Sequence, residues 1–410
     1  MSELSGSSEK KGPSVLVLNP GSSSLKWALF RACEDPAPYE TGHIKGKGIN
    51  GEDRRVALQK FVDEHETGCA VIRFVHGGPD YVRPVAIDAS SYPALKKLEA
   101  LAPLHNRLSL DCIEALLERR PGLKLIAVFD TEFFHDLPRV ARMYGLPAEL
   151  ARKHRLRRFG FHGFAHRDMA RRWQALADDT ERRGRDTERR GGDTERRGRD
   201  TERRDRIVTM QLGSGCSMAA IAGGRPLDTT MGFTPNEGLL MSTRSGDIDP
   251  GLVTWLQRLE GWGPDETDRI LNEHSGWLGV SGESADMTDL LASGSEQAGD
   301  AIALFRYRIR KTLGAYYALL GGLDGVMAGG GIVEHAPSFV REILSGLEHL
   351  GIVLADAKSN ARPDADLGPD GTWRFSTTNS PVACWCIRVD ENRSMLDSAS
   401  EHMQSDSVDI

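Results

Sequence analysis

Nowhere does this 410-residue chain string together the roughly 20 apolar residues that a membrane-spanning helix needs, so no membrane partner is expected. Cysteine is sparse. Cys33, Cys69, Cys112, Cys216, Cys384 and Cys386 form neither a dense disulfide framework nor a paired CxxC zinc pattern. Free thiols in a reducing compartment fit that usage, and a cytoplasmic location is expected. Cys384 and Cys386 flank Trp385 in an apolar run, where strand alternation sends both thiols to one face. That reads as buried packing in preference to metal binding. An excess of positive charge is also missing: the formal net charge is −7, and no nucleic-acid partner is expected. Residues 1–13 are polar and lack the apolar stretch of a secretory signal, so they read as a disordered extension.

What the chain does have is a repeated local pattern. Ser14 to Phe30, SVLVLNPGSSSLKWALF, reads as strand, tight turn, strand. Its turn offers the hydroxyls and backbone N–H groups of Ser22, Ser23 and Ser24, with Lys26 adding a compact positive charge, a suitable cradle for phosphate oxygens. A single copy is an ordinary hairpin with a polar tip. A second copy stands about half a chain further on, in IVTMQLGSGCSMAAIAGG up to Gly224. Two such hairpins suggest duplicated domains, and two hairpins around a phosphate chain are the arrangement of actin, the heat-shock chaperone ATPases and the sugar kinases. The spacing alone only permits that architecture.

Between and after the hairpins, several stretches carry chemistry. CAVIRFVHGG, Cys69 to Gly78, is a strand bearing Arg73 in an apolar run; the guanidinium reads either as half of a structural ion pair or as a carboxylate or phosphoryl ligand. Helices are expected over Pro93 to Leu104 and Leu108 to Arg119. LKLIAVFDT then delivers Asp130 at the end of a buried strand, where open α/β sheets place ligands. In RRFGFHGFAH, Gly160 and Gly163 argue against one helix covering both His162 and His166, so His162 reads as a hydrogen-bond donor in a loop and His166 as near a helix start. LDTTMGFTPNEGLLMSTRSGDIDP is a long polar loop holding Arg244, costly to order without a task. LGVSGESADMTD reads as a loop leading into a helix, and GVMAGGGIVEH as a strand ending in glycines that let backbone approach a ligand. Asp179 to Arg206 is four heptads with eleven arginines against nine acids and no apolar side chain, which reads as a disordered insert in a surface connection.

Taken together, NPGSSSLK, RFVHGG, LAPLHN, FDTEFF, RRFGFHG, DTTMGFTPNEGLLMSTRSGDIDP and the closing DEN resemble the acetate kinase family of short-chain acyl kinases, from about Val15 to Leu396 apart from the heptads. The resemblance implies an α/β, two-domain, duplicated actin-like ATPase fold. It implies a homodimer that uses Mg2+, with Mn2+ as an alternative, to pass the terminal phosphoryl of ATP to acetate. Domains are expected at 14–137 with 391–405 for the acyl substrate and at 138–390 for the nucleotide, with the insert at 179–206.

Carried over by resemblance, Arg73 and Arg244 grip the carboxylate and the phosphoryl in flight, His162 donates to that phosphoryl, and Asp130 is the catalytic aspartate. Glu391, with Asn19, is associated with the metal. Asn19, Ser22, Ser24 and Lys26 form the first phosphate hairpin; Val75, Leu104, Phe161 and Pro235 form the acyl pocket. The nucleotide would meet Gln211, Leu212, Gly213, Ser214 and Gly215, then Asp286, Met287 and Thr288, then Gly330, Gly331, Ile332 and Val333. A carboxylate nucleophile is already ionised at neutral pH, so Asp130 is expected to orient metal, water or Arg244 instead of abstracting a proton.

Departures from the family pattern lie mostly on the nucleotide side. Gln211 and Ser214 replace histidine and asparagine, Phe164 and Ala165 replace threonine and serine, Thr288 replaces arginine, and GGGIVEH stands where GIGEN is common. The expected activity is acetate kinase. The alternatives are a propionate or other short-chain acyl kinase, and a scaffold of the same fold that has lost turnover.

Overall fold

The computed structural model describes residues 14–21, 24–45, 51–191, 205–356 and 371–406. Two compact units divide the chain, Met1–Glu132 with Asp390–Ile410, and Phe133–Val389. The expected extension at 1–13 and the phosphate-turn residue Ser22 lie outside the described residues. Among the described residues no helix is long and apolar enough to cross a membrane.

The first unit is built on a six-stranded sheet of β1 Ser14–Pro20, β2 Ser24–Phe30, β3 Glu40–Lys45, β4 Thr67–Phe74, β5 Val85–Ala86 and β6 Lys124–Phe129, in the order β3-β2-β1-β4-β6-β5. β1 and β2 pair antiparallel, as the hairpin pattern predicts, whereas β1, β4 and β6 run parallel. Parallel strands covered on both faces need continuous apolar runs, which VLVL, CAVI and LIAVF supply. Leu16, Leu18, Ala70, Ile72, Ala127 and Phe129 from these strands share a core with Leu58 and Val62 of the helix Gly51–Glu64, and with Leu110, Ile113 and Leu116 of the helix Pro103–Arg119. That last helix corrects the sequence reading. LAPLHN is not a helix end: Tyr92–Lys96 passes into a 3-10 turn, Lys97–Leu101, and Pro103 opens a new helix, where its missing N–H is no loss.

The second unit repeats the plan with β7 Arg206–Leu212, β8 Cys216–Ala222, β9 Arg225–Thr229, β10 Gly325–Gly329, β11 Thr372–Arg374 and β12 Ala383–Ile387. The order is β11-β12-β10-β7-β8-β9, an antiparallel meander β7-β8-β9 joined to parallel β10 and β12 with an antiparallel edge at β11. Strand for strand this is the order and sense of the first sheet, so the duplication extends well beyond the hairpins. Cys384 and Cys386 are both fully buried on β12, on the shared face that alternation predicts. Burial pushes the Cys384 thiol up to about 12.

Four boundaries differ from expectation. The units divide between Glu132 and Phe133 and between Val389 and Asp390, not at 137/138 and 390/391, because Phe134 and Leu137 pack with Ala165, Met169 and Ile207 of the second unit. The helix Gly163–Gly191 carries its backbone on into the heptads, where disorder was expected, and glutamate and arginine are good helix formers. Residues 192–204 lie outside the described residues. Arg206 is not part of an insert at all. It opens β7, and its guanidinium and backbone N–H both bond the Asp324 carboxylate, with Arg206 Nη2 2.9 Å from Asp324 Oδ1.

Candidate active site

In the first unit, three parallel strands end side by side and deliver three polar residues. Register sets Leu18 beside Ile72 and Arg73 beside Val128, so Asn19, Arg73 and, just past β6, Asp130 emerge together. Arg73 donates from Nη2 to Asp130 Oδ2 at 2.7 Å and from Nη1 to Asn19 Oδ1 at 2.8 Å. Asn19 Nδ2 in turn donates to Glu391 Oε2 at 2.7 Å, at the start of the helix Glu391–Asp406. Burial opposes the charge on Arg73, but Asp130 and Glu391 outweigh it and hold its pKa above the ordinary value. Of the two readings left open for Arg73, the ion pair is thus present. Asp130 holds Arg73 within this unit.

The turn after β4 is organised by Asn106, the last residue of LAPLHN. This fully buried amide accepts from the backbone N–H of Val75 and His76 and donates to the carbonyls of His76 and Leu98. Val75 itself is buried. Lys26 is exposed on β2, opposite Asn19 in register. Ser24 opens β2 and Leu104 lies in the first turn of Pro103–Arg119; the side chains of both fall outside the described set.

In the second unit, His162 and Arg244 converge on the hairpin turn β7–β8. A Cβ at Gly215 would stand 3.2 Å from His162 Nε2, a tight approach, and 3.7 Å from Arg244 Nη1, an ordinary contact, so the absent side chain gives the ring its room and the guanidinium stands close by. Arg244 donates from Nη1 to the Pro235 carbonyl at 3.1 Å. Burial holds its pKa below the ordinary value, with the Cys216 thiol opposing. Pro235, expected as an apolar pocket wall, therefore contributes its carbonyl to Arg244, while Phe161 is almost fully buried. His162 precedes the helix Gly163–Gly191, as the glycines predict, and His166 lies inside it.

A cavity in the same unit is lined by Gly213, Ser214, Trp277, Ala285, Asp286, Met287, Thr288, Gly331, Ile332 and His335. It gathers most of the residues expected at a nucleotide. Leu212 and Val333, also expected at the nucleotide, are fully buried. Gly330 has φ 97°, and a Cβ there would strike the Leu212 carbonyl at 2.6 Å and lie 3.0 Å from Gln211 Nε2, so the glycine run presses backbone against the β7–β8 turn. Gln211 Oε1 is buried with no partner among the described residues. Asp286 caps the helix Met287–Ala292 by accepting from Thr288 N–H at 2.8 Å. The expected loop before it contains a short helix, Gly276–Ser281, whose Trp277 donates Nε1–H to the Ala285 carbonyl at 2.9 Å and so fixes one wall. Trp277 and His335 were not foreseen as cavity residues.

A family described as the Acetokinase family matches residues 58–183 and 195–396. The acetate kinase of Dictyoglomus thermophilum is 35% identical over 92% of this chain and 96% of its own length. Among solved structures, acetate kinase from Porphyromonas gingivalis matches with a TM-score of 0.76 and 31% identity, covering 96% of this chain and 99% of that one. A propionate kinase from Francisella tularensis matches with a TM-score of 0.78 and 28% identity, covering 94% and 99%. These likenesses carry the two-domain actin-like ATPase fold with them.

Proposed function

Because the chain belongs to the acetokinase family, we propose that it transfers the γ-phosphoryl of ATP reversibly to acetate, giving acetyl phosphate and ADP. The observation that carries this reading is Arg244: a desolvated guanidinium, held by a carbonyl beside His162 and a glycine turn, is a site for an anion. Phosphoryl transfer asks the protein for positioning and for cations and donors around the equatorial oxygens. Arg244 and His162 supply these to the transferring phosphoryl, and the Gly213–Gly215 turn and Gly330–Gly331 offer backbone to the phosphates. Asp286, Met287, Thr288 and Ile332 receive the nucleoside.

On the acyl side, Asp130 and Asn19 take one hydrogen from each Nη of Arg73 and fix its plane. Arg73 Nε is buried with no partner among the described residues. Val75, buried at the turn after β4, is the apolar residue that would meet the methyl group on this unit. Acetate is ionised at neutral pH, so no general base is needed.

Mg2+ is the expected metal, with Mn2+ as the alternative. Among the described residues no group of three His, Cys, Asp or Glu side chains could hold an ion. A hard cation of this kind takes one or two carboxylates and completes its shell with water and phosphates. Glu391 would hold it. Asn19, whose oxygen faces Arg73 and whose nitrogen faces Glu391, would orient that carboxylate. When bound, the ion neutralises phosphate charge.

The protein works as a cytoplasmic homodimer in this reading. Support comes from the helix Pro250–Glu260, which has no buried residue and turns Leu252, Trp255 and Leu259 outward along one stripe. The fitting occupant is a second copy. A propionate-type activity is the second reading, favoured by the likeness to the Francisella propionate kinase, because one methylene changes binding by only about 1–3 kcal/mol. Trapping acyl phosphates with hydroxylamine, using acetate, propionate and butyrate in turn with ATP and Mg2+, tests both. Acetyl hydroxamate should form fastest, and no hydroxamate from any acid would refute the reading.

A further inference from the structure

We propose that Thr209, His166 and Ser217 are positioning residues that fix the orientation and the tautomer of His162. Ser217 Oγ lies 2.9 Å from His162 Nδ1 and 2.8 Å from His166 Nε2, and His166 Nδ1 lies 2.7 Å from Thr209 Oγ1. Thr209, His166 and Ser217 are each completely buried. The four side chains therefore form one line of hydrogen bonds from a dry interior to the ring that stands beside Gly215 and Arg244.

Proton counting makes the line directional. A hydroxyl has one proton, and among the described residues Ser217 Oγ bonds only the two rings, so Ser217 donates to one ring and accepts from the other, and a neutral imidazole carries one N–H. Two arrangements fit the three bonds of the line, one the reverse of the other. In the reverse arrangement His166 Nδ1–H donates to Thr209, whose own proton must go to the Ala219 carbonyl, 3.5 Å away and too far for a good bond. In the forward arrangement Thr209 donates to His166 Nδ1 at 2.7 Å, His166 Nε2–H donates to Ser217, and Ser217 donates to His162 Nδ1. His162 then carries its proton on Nε2, the edge beside Gly215 and Arg244 Nη1. That is the nitrogen able to donate to a phosphoryl oxygen.

The backbone is fixed by the same elements. His162 has φ 58°, a left-handed conformation that a side-chain-bearing residue adopts only when its surroundings impose it. The His166 N–H donates to the His162 carbonyl at 3.0 Å, so the residue that orders the ring through Ser217 also pins the main chain. Buried polar lines of this kind hold a unique geometry only when every member is satisfied.

This inference rests on the reading that His162 donates to the phosphoryl in transfer. Its test is steady-state kinetics of the full chain and its variants Thr209→Val, Thr209→Ser, Ser217→Ala and His162→Ala, with thermal melts alongside. Thr209→Val removes only the hydroxyl at nearly constant volume. Thr209→Val and Ser217→Ala should each lower kcat about 10–100-fold, the range typical of outer partners of a functional histidine, with KM for acetate little changed. Thr209→Ser should recover most of the loss. His162→Ala should lose more than either. Wild-type kcat in Thr209→Val and Ser217→Ala, or a Thr209→Ser no better than Thr209→Val, would overturn the proposal while leaving the kinase reading intact. A wild-type chain that makes no acyl phosphate overturns both.

Discussion

Arg73 and Arg244 carry the same guanidinium in opposite settings. Arg73 is neutralised by Asp130, whose side chain is only 1% exposed, whereas Arg244 rests on a carbonyl and loses hydration without a carboxylate in return. Truncating either should lower turnover by about 10³ to 10⁵, the range for arginines that stabilise a phosphoryl in transfer. Stability should separate them. Arg73→Ala leaves Asp130 buried without its cation and should cost about 3–5 kcal/mol, while Arg244→Ala should leave the denaturation midpoint nearly unmoved. Denaturant titration beside kinetics checks this, and equal midpoints for the two variants would contradict it. Both arginines could be found in the sequence because a charged residue in an apolar strand or a glycine-rich loop stands out. Their partners could not, since the pairing of Arg73 with Asp130 depends on the lateral order of β4 and β6. Asn106, Thr209 and Ser217 escaped notice because small polar residues give no periodic signal.

The nucleotide side yields a second residue-scale expectation. Ser214 and Thr288 both line the cavity, and each is a short hydroxyl where the family pattern has an amide or a guanidinium. A hydrogen bond to a charged group contributes roughly 1.5–3 kcal/mol, so KM for ATP should be raised and choice among ATP, GTP and other donors relaxed. Ser214→Asn and Thr288→Arg should each lower that KM. Tight, ATP-exclusive kinetics that neither variant improves would count against it.

Among the elements, the two hairpins were the most legible, because a small polar turn between apolar runs has few other readings. Short edge strands such as β5 and β11 gave no comparable signal: two or three residues cannot show alternation. The heptads mark where composition misleads. Repetition and charge read as disorder from Asp179 to Arg206, yet the last arginine of the last unit is the first residue of β7 and is tied to Asp324. Asp205 is committed too, its carbonyl accepting from Gly223 N–H. Replacing residues 179–204 by a short glycine-serine linker should therefore leave melting temperature and kcat close to wild type, since loop-closure entropy changes slowly with length. Extending the replacement through Arg206 should lower the melting temperature by several degrees, because losing about 1 kcal/mol moves it by roughly 2–4 °C in a unit of this size. A large loss in the shorter replacement would show that the heptads support the fold.

At the scale of the whole molecule, two sheets with one strand order and one set of directions account for why chemistry collects at the ends of β1, β4 and β6 and at the β7–β8 turn. Parallel strands end on one side, and side chains placed there meet without long loops. The uncovered helix Pro250–Glu260 adds an expectation about assembly. Trp255→Glu with Leu259→Glu should shift the sedimenting species from the proposed dimer to monomer, and an unchanged dimer would move the interface elsewhere. The central claim, that a carboxylate oxygen of acetate attacks the γ-phosphorus of ATP, is tested most directly by supplying acetate labelled with ¹⁸O and recording the ³¹P spectrum of the product. The account predicts an acetyl phosphate resonance displaced by ¹⁸O in the bond to phosphorus, lost in Arg244→Ala. Orthophosphate from ATP with no labelled acetyl phosphate, from a folded wild-type chain, would contradict it.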